Sequence, residues 1–183
     1  DEHRRRPALY RVAGGEDAVE IATFHIGNAW YGVRSNCVQE AIEAATITPI
    51  PGMPAWVRGC VMHNDQAISI FDLSGFLPAT DKVTRHTNQQ IIIIRVPNHQ
   101  ACFGVLVDAL GEIPEIASSR IEPVPAMMST GNSLTESLVK PMSGEMDRRI
   151  LVILSAERML QRLMGLSLVE DEFGKCLSRM ENF

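Results

Sequence analysis

The stretch Gly59–Leu73, GCVMHNDQAISIFDL, places four polar residues between two apolar runs. Short apolar runs separated by turn-forming residues are typical of a β-hairpin, and Asn and Asp tolerate the tight backbone conformations of a hairpin turn. Asn64 and Asp65 stand at the centre of the polar group, between His63 and Gln66. The stretch therefore predicts two strands joined at a polar tip.

Short β-type runs continue on both sides of this hairpin. Upstream, EIATFHIGNAWYGV alternates apolar side chains before and after a Gly27-Asn28 turn. Downstream, IIIIRV, FGVLVDALGEI and RRILVIL are β-rich, and turn residues separate them. This succession predicts a mainly β protein built as a sandwich or a pair of barrels, divided near residues 74–90. Asp72 and Asp108, each following an apolar run, are expected to end a strand by bonding to nearby backbone groups.

Two segments have helical spacing. SNCVQEAIEAA carries Val38, Ala41 and Ile42 at helical intervals, so a helix is expected there. Near the C-terminus, Ser155 can cap a helix with an apolar face. Residues 165–183 repeat apolar side chains at helical steps and are interpreted as a further amphipathic helix. Residues 1–19 are interpreted as a flexible lead-in, because they mix charges and glycines without periodicity.

Composition excludes several classes of function. The 183-residue chain has a formal net charge of −5 and only 5% aromatic residues, so it is not expected to bind nucleic acid. Its longest apolar runs are far shorter than the ~20 residues of a membrane span. The four cysteines form no C-x-x-C pair, which argues against a zinc site or a secreted disulfide framework and favours a reducing, cytoplasmic compartment.

Three arrangements of reactive residues are alternatives to a purely structural role: a nucleophilic dyad, an acid–base pair and a metal site. Cys60 and His63 are three residues apart, so on a strand they would point to opposite faces, which disfavours a thiol–imidazole dyad. His63 and Asp65 would share a face, but at a hairpin tip both would be hydrated and poorly suited to acid–base catalysis. A metal site would need remote ligands, because His63, His86 and His99 show no short ligand spacing. No catalytic residue, metal or cofactor is therefore predicted.

The order of motifs resembles the CheW-like domain of bacterial chemosensory systems. The resemblance covers roughly residues 20–164, and the succession of motifs carries it more than any single motif does. The motifs are FHIGNAWYGV, VQEAI, TPIPGMPAWVRG, ISIFDL, FGVLVDALGEI, IEPVP and RILVILSAERML.

The resemblance implies two five-stranded, SH3-like β-barrels that share a hydrophobic core, followed by a C-terminal α-helix. The barrel halves are expected at about residues 20–80 and 81–154. It also implies a non-enzymatic adaptor that links a chemoreceptor tip to the regulatory domain of a CheA-type histidine kinase, with other CheW-like proteins as further partners. The alternative from the residues alone is a regulatory module that binds a small ligand between the two barrels.

The resemblance also implies where partners bind. Val38, Glu40 and Gly59 fall where the first barrel of the family contacts its partners, together with the hairpin tip. Gly104, Val107 and Leu110 fall near the receptor-facing groove.

The tip itself departs from the family pattern. Family members usually read Asn-Leu-Arg-Gly where this chain has Met62, His63, Asn64 and Asp65, and they have a proline at the position of Ser69. Pro141 and Ser155 likewise replace a usual glycine and a usual aspartate. An arginine that can hold a carboxylate by two parallel bonds is therefore absent from the tip, which predicts a changed set of partners.

Overall fold

A computed structural model describes residues 17–44, 47–77, 88–124, 133–144 and 149–164. These residues form twelve β-strands and one α-helix. The first sixteen residues of the predicted lead-in and the predicted helix at 165–183 lie outside the described residues. The elements are β1 (Ala18–Ile26), β2 (Ala29–Arg34), β3 (Val38–Glu43), β4 (Val57–His63), β5 (Gln66–Phe71), β6 (Gln90–Arg95), β7 (Cys102–Val107), β8 (Ala109–Leu110), β9 (Glu115–Ala117), β10 (Ile121–Pro123), β11 (Thr135–Val139), β12 (Leu151–Leu154) and α1 (Ala156–Met164).

The first barrel is a five-stranded sheet in the order β3-β6-β7-β5-β4. Its two end strands are brought together by an antiparallel bridge between Thr48, which follows β3, and Cys60 of β4. The backbone N–H and C=O groups of these two residues exchange hydrogen bonds of 2.9 and 3.0 Å. Closing a sheet in this way removes edges that would otherwise expose unpaired backbone groups.

The second barrel is a seven-stranded sheet in the order β10-β11-β12-β2-β1-β8, with β9 also paired to β1. It has more strands than the predicted five because short segments of two or three residues, such as β8 and β9, pair separately with β1. The predicted fold class, two barrel-type β-sheets with a C-terminal helix, is confirmed.

The division of the chain between the barrels differs from the predicted halves at about 20–80 and 81–154. The second barrel contains β1 and β2 from the start of the chain, whereas the first contains β3 to β7. In both barrels a hairpin from one half of the chain pairs in parallel with a strand from the other half: β2 with β12, and β7 with β5. The sequence pattern cannot reveal which distant strands pair. Side-chain alternation is a local signal, whereas parallel pairing joins strands that are far apart in the chain.

Alternation along the strands separates three apolar clusters. Ile91 and Ile93 of β6 point into the first barrel, whereas Ile92 and Ile94 join a core shared by both barrels. The second barrel has its own smaller interior cluster of Ile21, Ile116, Val139, Leu151 and Ile153. β6 is buried on both faces, which explains why its sequence is continuously apolar rather than alternating.

The segment predicted as a helix after Ser35 is instead a short 3-10 turn (Ser35–Cys37) followed by β3. β3 pairs with β6 along its length, from Val38 opposite Ile94 to Glu43 opposite Gln90. Pairing with this buried isoleucine strand outweighs the modest helix propensity of VQEAIEA.

The predicted cap of the C-terminal helix is present. Arg158 donates its backbone N–H to the Ser155 hydroxyl at 3.1 Å. Ala156, Met159 and Leu163 on the inner face of α1 are buried in the shared core. No helix among the described residues is long and apolar enough to cross a membrane.

The two strand-ending aspartates make different contacts. Asp72 accepts a hydrogen bond from the nearby backbone N–H of Ser74 at 2.9 Å, as the sequence predicts. Asp108 also accepts from a backbone N–H, but that of Gly27 in the distant β1–β2 turn, at 2.5 Å. Its other oxygen accepts from the Gln89 side chain beside β6 at 3.2 Å, so Asp108 connects the two barrels where the chain crosses between them.

Candidate partner-binding surface

The polar group in Gly59–Leu73 is the tip of a two-residue hairpin. His63 pairs with Gln66 at the ends of β4 and β5, and Asn64 and Asp65 form the turn between them. Both turn residues have positive φ, 50° and 62°, as a type I′ turn requires. Both are exposed, so the hairpin presents two polar side chains to solvent.

His63 contacts Glu40, not its neighbour Asp65. The imidazole Nε2 lies 2.7 Å from Glu40 Oε2, and the two side chains are 15% and 49% exposed. Glu40 belongs to β3 and His63 to β4, the two end strands of the first sheet. The pair therefore links the ends of the first barrel, and it leaves part of the Glu40 carboxylate accessible to a partner.

Gly59 shapes this end of the barrel through its backbone. It is buried with φ of 140°, at an irregularity in the pairing of β4 with β5. A Cβ atom at this position would lie 2.1 Å from the Thr48 carbonyl oxygen. Glycine is therefore needed for the close approach of the two backbones, and Gly59 presents no side chain to a partner.

The structure separates the remaining candidate residues into buried and exposed positions. Val38 is half-buried against the shared core. Val107 is fully buried, and Gly104 lies inside the first barrel, where a Cβ would be 2.4 Å from Ile70 Cδ1. Of the residues predicted near the receptor-facing groove, only Leu110 is exposed, with 43% of its surface accessible.

Two exposed apolar residues near these positions were not singled out from the sequence. Met62, next to the tip, is 67% exposed, and Ile113, three residues after Leu110, is 59% exposed. Strand alternation could have indicated Met62, because its neighbour Val61 points into the first barrel. Single exposed apolar residues are common on protein surfaces, so Met62 and Ile113 are candidates because of their position beside the predicted contact residues.

The candidate nucleophile is unsuited to catalysis in this environment. Cys60 is buried, and burial raises the pKa of its thiol above the ordinary value, which disfavours the reactive thiolate. Burial likewise raises the pKa of the Cys37 and Cys102 thiols. Within the described ranges no three His, Cys, Asp or Glu side chains are grouped as a metal would require. His86, one of the three histidines that a metal site would need, lies outside those ranges.

Two β-barrels packed on a shared core define the fold class, and the candidate residues Glu40, Asn64, Asp65 and Leu110 are exposed at its surface. The family profile of the CheW-like domain matches residues 20–164. The chain belongs to the CheW-like domain family, and its role is that of a non-enzymatic adaptor or scaffold of bacterial chemosensory systems.

Individual relatives agree with this assignment. The chemotaxis protein CheW of Rhizobium meliloti is 30% identical over 112 residues, which cover 60% of this chain and 69% of that protein. The protein FrzA of Myxococcus xanthus is 24% identical over 142 residues, covering 78% of this chain and 85% of that protein. Among solved structures, the scaffolding protein TtCheW of Thermoanaerobacter tengcongensis shares the fold with a TM-score of 0.64. It is 24% identical, and the match covers 75% of this chain and 89% of that chain.

Proposed function

We propose that this chain links a chemoreceptor tip to the regulatory domain of a CheA-type histidine kinase, and that other CheW-like proteins bind it in the same array. The kinase-facing contact is assigned to the tip surface, defined as Glu40, Met62, His63, Asn64 and Asp65. Its main support is the exposure of Met62, 67%, beside a turn whose backbone is fixed by two positive φ angles. A flexible, polarizable methionine on a rigid support suits a contact that must form and dissociate.

The charge of the tip surface determines which partners it accepts. Glu40 and Asp65 bring two carboxylates to this end of the barrel, and the Glu40 carboxylate already contacts His63. The family pattern has an arginine at position 64 and a glycine at position 65, so this tip is more negative by two units. A partner surface that offers a carboxylate to that arginine would be recognised poorly here, whereas a cationic or neutral surface would be accepted.

Restoring the family residues tests the kinase-facing contact. The double substitution Asn64→Arg with Asp65→Gly is expected to strengthen binding to a standard CheA regulatory domain by about tenfold, because a bidentate arginine–carboxylate pair becomes possible. Isothermal titration calorimetry measures the change. Asp65→Gly alone is the matched control, since it relieves the turn conformation and removes one carboxylate without supplying the guanidinium. Equal affinities of the double variant and the original chain for every kinase domain and receptor tip tested would contradict the proposal.

The receptor-facing contact is assigned to the exposed edge formed by Leu110 and Ile113. Leu110 of β8 pairs with Phe24 of β1, and the side chains of Leu110 and Ile113 are 43% and 59% exposed. Gly104 and Val107 are buried in β7 of the first barrel, so they are not part of this exposed edge.

Leu110→Asp is expected to weaken binding to a receptor-tip fragment by about tenfold or more, since a charge replaces an apolar contact. Co-sedimentation with receptor arrays measures the loss. Met142→Asp is the matched control, because Met142 is a similarly exposed apolar residue, 55% accessible, on another part of the second barrel. Equal loss in both variants, or none in Leu110→Asp, would remove this edge from the interface.

We also propose that the chain acts in the cytoplasm. Cys37 and Cys102 are free thiols among the described residues, and Cys176 lies outside those residues. Free thiols of this kind are typical of a reducing compartment.

A further inference from the structure

A pocket of about 310 Å³ opens on the second barrel. Its walls come from strands that are distant in sequence, including Trp30 of β2, Ile116 of β9 and Leu151 of β12. The lining belongs to the second barrel, so the pocket does not lie between the barrels, where the sequence had suggested a ligand. Its volume is at the lower end of the range of small-molecule sites.

The floor of the pocket is apolar and reaches the barrel interior. Ile116, Val139 and Leu151, which line it, also belong to the interior cluster of the second barrel and are at most 5% exposed. Trp30 adds a half-buried aromatic wall. An apolar group placed against these side chains would lose contact with water over the area that touches them, which favours binding by about 25 cal/mol per Å².

The rim of the pocket carries three cationic side chains, Arg120, Lys140 and Arg149, and one carboxylate, Glu115. This excess of positive charge is local, because the whole chain has a formal charge of −5. It favours an anionic group at the rim, above the apolar floor.

Neighbouring contacts hold these cations at the rim. Arg120 donates through Nη2 to the Lys140 carbonyl at 3.2 Å, and the Arg149 guanidinium lies 6.0 Å from the centre of the Trp30 ring. The Lys140 ammonium lies 3.2 Å from Glu122, but these side chains are 67% and 49% exposed, so the pair is weak in water. An arriving anion can therefore compete for Lys140 at little cost.

We propose that this pocket binds a small organic anion with an apolar body, carrying one carboxylate or phosphate group. The apolar body lies against Trp30 and Leu151, and the anionic group faces Lys140 and the two arginines. This site goes beyond the adaptor function, because its lining includes no residue of the tip surface and neither Leu110 nor Ile113. A ligand here leaves the tip surface uncovered.

The two tryptophans of the chain give a direct test with the intact protein. Trp30 lines the pocket, whereas Trp56 packs against Phe71 and Phe76 next to the shared core. Titration with 3-phenylpropionate, followed by two-dimensional NMR of the indole N–H signals, is expected to shift Trp30 saturably and leave Trp56 unchanged. Phenyl phosphate tests the phosphate form of the ligand, and 3-phenylpropionamide is the neutral control of the same shape.

Lys140→Glu is expected to weaken binding of 3-phenylpropionate by about tenfold or more, because an attractive charge becomes repulsive. Lys140 is an exposed residue at the end of a strand, so the substitution is not expected to disturb folding. Arg58→Glu is the matched control, since it reverses one exposed charge on β4 of the first barrel. Thermal unfolding of both variants checks that each remains folded.

Saturable binding of either acid, lost in Lys140→Glu and kept in Arg58→Glu, supports the site and identifies its preferred anion. Equal binding of the amide, or shifts at both tryptophans, overturns the anionic pocket. If neither acid binds but Lys140→Glu weakens co-sedimentation with arrays, the pocket receives an acidic side chain of a partner protein, and the small-ligand proposal is wrong. Failure of these titrations leaves the kinase and receptor tests above unaffected.

Discussion

Residues at one end of the first barrel close the sheet and form the proposed tip surface. Gly59 permits the close approach of β4 to Thr48, and the Glu40–His63 pair links the same two ends of the sheet through side chains. Met62, Asn64 and Asp65 are exposed beside them. Because Glu40 and His63 belong to the closing pair and to the tip surface, barrel closure and the proposed partner contact share residues.

Gly59→Ala is expected to lower the free energy of unfolding by about 3 kcal/mol or more. The new Cβ would meet the Thr48 backbone, and φ of 140° is strained for any residue with a side chain. Urea denaturation followed by circular dichroism measures the loss. Gly75→Ala is the control, because no atom lies within 4 Å of a Cβ there and φ is ordinary. A similar small effect at both glycines would show that the backbone approach at Gly59 is easily relaxed.

The secondary structure of a segment in this protein depends on the strands or core it packs against as well as on its own sequence. β3 has a helical pattern, yet it pairs with β6 and is a strand. α1, in contrast, follows its local signals, because Ser155 caps it and Met159 and Leu163 cover the shared core. Its short length means that the cap and this buried face both contribute to its stability.

Ser155→Ala is expected to lower the free energy of unfolding by about 1 kcal/mol, because the Arg158 backbone N–H loses its acceptor. Ser155→Asp is the matched control and should retain the stability, since aspartate is an equally good cap. Chemical denaturation of the three proteins measures the differences. An alanine variant as stable as the original protein would mean that the Ser155 hydroxyl does not stabilise the helix as a cap.

Each barrel of the molecule contains strands from both halves of the chain. The chain passes from the second barrel to the first after β2 and returns at Asp108 after β7. Asp108 bonds to Gly27 of one barrel and Gln89 beside the other, at the point of return. The shared core contains residues of both barrels and of α1, so the barrels are expected to unfold together.

Cutting the chain between the halves is expected to abolish folding of each part. The fragment 17–77 lacks β6 and β7 of the first barrel and β12 of the second, and the fragment 88–164 lacks the complementary strands. Circular dichroism and NMR should show each fragment unfolded alone and a native-like spectrum when the two are mixed. The fragment 35–108 is the control, because it contains all five strands of the first barrel and should retain more structure. Cooperative unfolding of 17–77 alone would contradict this arrangement of strands.

The local features of the fold could be predicted from the amino-acid sequence. Alternation and turn residues predicted the strands and the hairpin tip, Ser155 predicted the helix start, and the succession of motifs predicted the family and two barrels. These signals are local because side-chain alternation and capping involve residues only a few positions apart. The candidate residues Glu40, His63, Asn64 and Asp65 could be proposed at this level, since they lie in or beside such motifs.

The long-range features required the three-dimensional structure. It shows which strands share a barrel, that β3 is a strand, that His63 contacts Glu40, and that Gly104 and Val107 are buried. It also brought Trp30, Lys140 and Arg149 to one pocket. These features join residues separated by tens of positions, and parallel pairing between distant strands leaves no periodic signal in either strand. These features form because the folded chain buries apolar side chains from distant segments together, including in the core that both barrels share.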